Sequence, residues 1–352
     1  MKKSKKRSRL VRIAAAVLAL GFVAAAAFGI YYYTTFLKSN SRAQCGAVNI
    51  YRATDYSGLL DSLSASGAVA DMQSLRRAAS RMDLEHTFKP GHYELQGGLN
   101  NKQIVRIFSH GWQTPVKLLV RPGLRDLKAL ATALGAQLEA SPEEILEAMG
   151  DRQMMEAHGF DSATYIGMFI PDTYEVYWTI TPLQLLDRFW KEYEAFWNES
   201  RTAKAAAANL SRSDVMTLAS IVIEETKYEP EMPTIAGVYI NRLKRGMLLQ
   251  ADPTVKYAVN DPSLRRILGV HLQVDSPYNT YKHAGLPPGP ICIPAKCAIE
   301  ATLNYQHHNY LYFCAHDSFN GRHNFATSLS EHMANARKFH RALDARQKAK
   351  GN

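Results

Sequence analysis

The longest feature in the hydropathy pattern is an apolar run, Ile13 to Leu37, without a single charged residue. About 20 such residues cross a bilayer as a helix, so the run predicts one transmembrane span. After it the pattern shortens and alternates. Lys38 to Gly46 is polar and predicts a linker. Ala47 to Ala53 has strand periodicity, Tyr56–Ala65 and Val69–Met82 have helical periodicity, and Phe88–Leu95 predicts a turn entering a strand. Asn100 to His110 places Ile104, Ile107 and Phe108 on one helical face, with Gly111 as its stop. A strand over Val116–Val120 and helices over Leu124–Leu134 and Ser141–Met149 follow. Ser141, with Glu144 three residues on, has the form of a capping box. From Asp151 onward, helices are separated by long loops rich in Pro, Gly, Asn and Tyr. The longest loop, Gln250 to Pro294, is long enough to suggest a functional role. Interleaved strands and helices make the fold class α+β. The expected organisation is a tail (1–12), a span (13–37), an N-terminal exported region (47–150) and a second domain (151–345).

Charge sharpens the first part of this picture. The chain has 352 residues and a net charge of +10, and Lys2, Lys3, Lys5, Lys6, Arg7, Arg9 and Arg12 supply seven of those positive charges. A basic segment directly before a span marks the cytoplasmic side. Tyr31 to Tyr33 fall where aromatic residues meet the outer interface. An apolar run right behind the basic tail argues against nucleic-acid binding. A cleaved signal peptide, with Ala24–Ala27 near its cleavage site, is the competing reading, but the run is long and ends in aromatics. With 46% hydrophobic and 21% charged residues, the exported part can bury a core.

Four cysteines, Cys45, Cys292, Cys297 and Cys314, are spread without a second pair to complete a zinc pattern. No metal and no fold-determining disulfide are expected, and Cys314 is expected to be a buried thiol. The adjacent His307 and His308 have poor geometry for shared ligation, and His323 is expected to be structural. No phosphate-cradling glycine loop is present, so no nucleotide cofactor is implied.

The candidate chemistry lies on one helix. Ser211-Arg212-Ser213-Asp214 caps a segment running to Thr226. On a helical wheel, Val215, Leu218, Ala219, Val222 and Ile223 form an apolar stripe with Glu225 at its edge, while Glu224 points to the polar side. A carboxylate held against apolar packing has a raised pKa, and that suits it to donate a proton near neutral pH. The bland alternative is a carboxylate that flanks the core and pairs with a cation such as Arg242.

Longer strings favour the first reading. Phe169-Ile170-Pro171-Asp172-Thr173-Tyr174, Leu218 to Thr226, Tyr239 to Val255, Ser276 to Tyr281 running on to Gly285–Ile291, Tyr310–Phe313 and His323-Asn324-Phe325 resemble, in order, the motifs of the MltG (YceG-like) endolytic murein transglycosylase family. The resemblance implies a single-span anchor, a LysM-like subdomain centred on Phe88–Gly111, and a mixed α/β catalytic domain. It also implies that Glu225, which stands immediately before Thr226, is the catalytic acid/base. Ile223 departs from the pattern, because many relatives have a Glu there. Cys292-Ile293-Pro294-Ala295 departs too. The implied reaction cuts the MurNAc–GlcNAc bond of nascent peptidoglycan and leaves a 1,6-anhydroMurNAc end. Gln250, Asp252, Tyr278, Asn279 and Tyr281 are suited to line the sugar groove, and Gly285–Gly289 to shape its wall. No cofactor is implied. The implied location is the inner (cytoplasmic) membrane, with the catalytic domain outside. The implied partners are peptidoglycan strands and cell-wall synthases such as penicillin-binding proteins. Two rivals remain: a water-using hydrolase with Asp252 as activator, and a non-catalytic glycan-binding scaffold.

Overall fold

A computed structural model of the chain describes residues 2–43, 46–261, 264 and 266–350, without the side chains at 2–6, 8, 349 and 350. Cys45 lies outside the described residues. The chain forms two compact units: residues 1–117 with 175–180, and residues 118–174 with 181–352. The expected boundary near residue 150 therefore falls inside the second unit.

The first unit begins with helix α1 (Lys2–Tyr32), which continues as a π-helical turn over Tyr33–Leu37. The stretch from Arg9 to Leu37 is long and apolar enough to cross a membrane, and its residues 9–34 are all exposed. Next come β1 (Val48–Ile50), α2 (Tyr56–Ala65), α3 (Met72–Arg81), α4 (Leu84–Thr87), β2 (Gly91–Tyr93) and α5 (Asn101–His110). Strands β1 and β2 pair antiparallel, with Val48 opposite Tyr93 and Ile50 opposite Gly91. Both strands are short, so their stability comes from packing. Ile50, Leu59, Leu63, Leu75, Tyr93, Ile104 and Phe108 are fully buried together in one core. Gly111 ends α5 in the left-handed region at φ 68°, as its position predicts.

The start of the polar segment expected to be a linker, around Asn40, is instead locked down. Asn40 Nδ2 donates to Asn101 Oδ1 at 2.6 Å, and Asp71 N donates to Asn40 Oδ1 at 2.7 Å. Asn101 Nδ2 donates to the Thr35 carbonyl at 2.8 Å and to Ser74 Oγ at 2.9 Å. Asn40, Thr35, Ser74 and Asn101 are all buried. Buried amides require partners, and here they find one another, so the end of the apolar helix is tied to α3 and α5. Polarity alone made the segment look like solvent-exposed chain.

The chain passes between the units within β3 (Val116–Val120) and again within β4 (Asp172–Val176). In the second unit, α6 (Leu127–Gly135), α7 (Pro142–Met149) and α8 (Arg152–Ala157) precede β4. Then come α9 (Pro182–Phe196), α10 (Glu199–Ala207), α11 (Arg212–Glu225), α12 (Met232–Lys244), α13 (Asp252–Val259) and α14 (Lys296–Leu303). Strands β5 (Tyr312–Ala315) and β6 (His323–Ala326) form an antiparallel hairpin, and α15 (Leu329–Lys350) closes the described chain. The predicted capping box of α7 is present, with Ser141 and Glu144 satisfying each other's backbone N–H groups. The Gln250–Pro294 segment is less irregular than its composition suggested, since α13 occupies its start.

Helix α11 is the centre of this unit, packed by α10, α12, α13 and α14. Every residue from Val215 to Val222 is buried. The wheel gave it one apolar stripe, but the polar residues on its other faces, Thr217 and Ser220, are also inside. Each is small and hydroxylated: Thr217 Oγ1 donates to the Ser213 carbonyl at 2.8 Å, and Ser220 Oγ donates to the Thr217 carbonyl at 2.7 Å. Returning a hydroxyl to the helix's own backbone lets such residues be buried cheaply.

Candidate active site

Glu225 is the last residue of α11. Burial of the preceding turns brings its carboxylate to the wall of a cavity of about 390 Å³. The Tyr239 hydroxyl, from α12, donates to Glu225 Oε1 at 2.6 Å. Desolvation lifts the Glu225 carboxyl to a pKa of about 7, the negative charges of Asp252 and Glu224 push the same way, and the Tyr239 hydrogen bond opposes them. A helix C-terminus presents its carbonyl ends, which also disfavours an anion there. Burial raises the Tyr239 hydroxyl well above its ordinary value, so it stays a donor.

Arg242 does not pair with Glu225. It lies one turn beyond Tyr239 on α12 and is buried. Its Nε donates to the Leu311 carbonyl at 2.6 Å, and its Nη1 donates to the carbonyls of Leu248 and Leu249, both at 3.0 Å, and to Gln250 Oε1 at 3.1 Å. The guanidinium therefore holds the cavity's rim, and the Tyr312 ring sits 5.1 Å from it. Glu224 is not a free surface charge either: Arg125 reaches it at 3.4 Å and Lys227 at 3.2 Å.

The five expected groove residues divide. Gln250, Asp252 and Tyr281 line the Glu225 cavity. The Tyr281 hydroxyl donates to Asp252 Oδ1 at 2.6 Å. Gln250 adopts a left-handed conformation at φ 51°, an uncommon state for a residue with a Cβ, and its N–H donates to the Thr280 carbonyl at 3.1 Å. Asn279 and Tyr278 are not among the residues lining that cavity. Asn279 is fully buried; its amide donates to the carbonyls of Leu272 and Val274, and its Oδ1 accepts from Tyr281 N at 3.1 Å. It folds the loop that presents Tyr281. Tyr278 packs on Tyr257, with ring centroids 4.7 Å apart. The Gly285–Gly289 segment also lies elsewhere: a Cβ on Gly289 would collide with the Ala163 carbonyl, and Pro290 packs near Gly167.

The chain belongs to the YceG-like family. The family model matches residues 48–338. An endolytic murein transglycosylase of Bacillus subtilis is 29% identical over 260 residues, which cover 70% of this chain and 71% of that protein. The endolytic murein transglycosylase of Streptococcus pneumoniae serotype 2 is 27% identical over 281 residues. This match spans 70% of the present chain and about half of the streptococcal protein. A crystal structure of a yceG-like protein from Listeria monocytogenes superposes with a TM-score of 0.54 at 27% identity, covering 83% of this chain and 99% of that one.

The YceG-like site includes residues beyond the expected ones, among them His323, which the sequence reading expected to be structural only. His323 lines the cavity, with Nδ1 3.0 Å from Glu231 Oε2. His332, on α15, also lines it; its Nδ1 is buried without a hydrogen-bond partner among the described residues, and burial lowers its pKa. Cys314, expected to be buried, is half-exposed on the same wall. The described cysteines, Cys292, Cys297 and Cys314, are free. Tyr239 had a legible signal, since it sits three residues before Arg242 and so shares its helix face. No group of three or more His, Cys, Asp or Glu arranged to hold a metal is present among the described residues.

Proposed function

We propose that this chain is an endolytic murein transglycosylase with Glu225 as its acid/base. The observation that carries the reading is a single carboxyl with a pKa of about 7, hydrogen-bonded to Tyr239 on the wall of an open cavity. Such a group is part-protonated at neutral pH, as a general acid must be. Glu225 gives its proton to the glycosidic oxygen as the bond to MurNAc C1 breaks. The C6 hydroxyl of the same MurNAc then closes on C1 and returns its proton to the Glu225 carboxylate. No water is consumed, and one carboxylate serves both steps, unlike the paired carboxylates of ordinary glycosidases. Asp252, Gln250 and Tyr281 orient the sugar, and Asn279 supports them from behind.

The apolar helix is proposed as a single-pass anchor in the cytoplasmic membrane, with the catalytic unit outside. The basic tail before it supports that orientation. A LysM-like role in glycan contact is proposed for the region around Phe88–Gly111. Support comes from its separate core and from the exposed Trp112, whose ring lies 5.1 Å from that of His110. Cell-wall synthases such as penicillin-binding proteins are the proposed partners, on the family resemblance. The test is mass spectrometry of uncrosslinked glycan strands after incubation with the chain or with Glu225→Gln. Anhydro ends from the wild type alone support the proposal. Reducing ends point to hydrolysis, and equal products from both proteins remove Glu225 from the chemistry.

A further inference from the structure

The Glu225 cavity has a second chamber on its other side. Lys227, Tyr228, Phe319, Arg322 and Phe339 contribute to an open hollow of about 610 Å³, which meets the first chamber at Glu225, Ala315 and His323. The carboxyl therefore stands at the junction of two chambers of unlike chemistry. The first holds Asp252, Gln250 and Tyr281, and its guanidinium, Arg242, is committed to carbonyls of the rim. Among the described residues lining it, the second holds two cations, Lys227 and Arg322, and one carboxylate, the shared Glu225. Lys227 is partly balanced by Glu224 at 3.2 Å. Arg322 makes no ion pair among the described residues. Its Nη2 donates to the Tyr228 hydroxyl at 3.0 Å, and its guanidinium lies 4.9 Å from the centroid of that ring. One N–H is spent on the Tyr228 hydroxyl, and the guanidinium's other N–H groups form a fork suited to a carboxylate. Arg346 of α15 lies 4.8 Å from the Phe319 ring and extends the positive charge.

We infer that the second chamber binds the carboxylate-bearing peptide stem of a muramoyl residue flanking the cut, with Arg322 as the group that recognises the anion. The inference rests on the transglycosylase reading for its substrate class. The sugar backbone of peptidoglycan is uncharged, so a cationic, aromatic-walled chamber beside Glu225 has little to recognise in it. The stem carries free carboxylates together with apolar side chains, which suit the Tyr228, Phe319 and Phe339 walls. The occupant of the first chamber, with its amide and hydroxyls, is then bare sugar. This asymmetry sets the direction in which a strand lies across Glu225.

The test measures binding by full-length Glu225→Gln in detergent, because that background does not consume the probe. One probe is a disaccharide–pentapeptide with free stem carboxylates, and the other is the same molecule with those carboxylates amidated. Loss of a charge-assisted contact predicts that adding Arg322→Gln weakens the first probe about tenfold. The amidated probe shifts less than about twofold, and Arg322→Lys, which keeps the charge, recovers part of the loss. Equal weakening of both probes, or of neither, overturns the inference. So does inorganic pyrophosphate, a mimic of the lipid-linked strand end, if it displaces the first probe and binds through Arg322 more tightly. The two readings fail separately. A wild type that makes no anhydro ends while the probes behave as stated loses the transglycosylase assignment and keeps the stem site. Anhydro ends with no Arg322 effect have the opposite meaning.

Discussion

Glu225→Gln is predicted to make the protein more stable at alkaline pH while removing its activity. The carboxyl moves from an ordinary value of 4.5 to about 7 on folding. Between those values the folded chain holds a proton that the unfolded chain has released, so stability falls as pH rises through that interval. At 1.36 kcal/mol per unit, the charged carboxylate costs up to about 3 kcal/mol above pH 7. The cavity is open to solvent, and screening there reduces the figure to about 1–2 kcal/mol. Glutamine keeps the Tyr239 hydrogen bond through its amide oxygen and carries no charge. The gap between variant and wild type is therefore near zero at pH 4, opens between 4.5 and about 7, and is constant beyond. Urea unfolding in detergent, followed by the fluorescence of Trp190 and Trp197 in the second unit, measures it. A gap of equal size at pH 4 and pH 8, or no gap at pH 8, would refute the claim that burial of the charge sets the Glu225 pKa.

Three further outcomes follow from the same geometry. Tyr239→Phe removes the bond that holds the Glu225 pKa down, so the alkaline limb of the kcat/KM profile moves to higher pH; a limb that stays put or falls would contradict this. Asp252→Asn removes a charge that raises it, so the limb moves to lower pH, while mass spectrometry still finds anhydro ends. Arg242→Ala strips the rim carbonyls of Leu248, Leu249 and Leu311 of their donor and is predicted to lower unfolding stability by about 3 kcal/mol, as measured by urea denaturation.

Local chemistry was the legible part of this sequence. The caps of α7 and α11, the Gly111 stop and the start of α2 follow from residues that interact within a few positions. What was not legible depends on distant partners. Asn40 and Asn101 look like surface residues until their amides are seen to satisfy each other across 61 positions. Asn279 looks like a sugar ligand until its amide is seen to close its own loop. In each case the side chain offers the same donors and acceptors to substrate, solvent or backbone, and only the fold determines which of them is within reach.

Glu225 shows why its position could be read although its surroundings could not. The wheel gave α11 one buried face, yet the helix is buried all round. The placement of Glu225 did not depend on that error, because its exposure comes from lying at the helix end and not from facing a polar side. A carboxylate in mid-helix on α11 would be sealed in the core with no route for substrate. One turn later, past Thr226, it would be in solvent, with nothing to raise its pKa. The C-terminal residue of a buried helix meets both demands: apolar packing behind it to favour the proton, and an open cavity in front to pass that proton on. The same reasoning assigns Tyr239 its place. A donor on the neighbouring helix satisfies one carboxyl oxygen, so the group can be buried without being sealed, and the other oxygen is left to work on substrate.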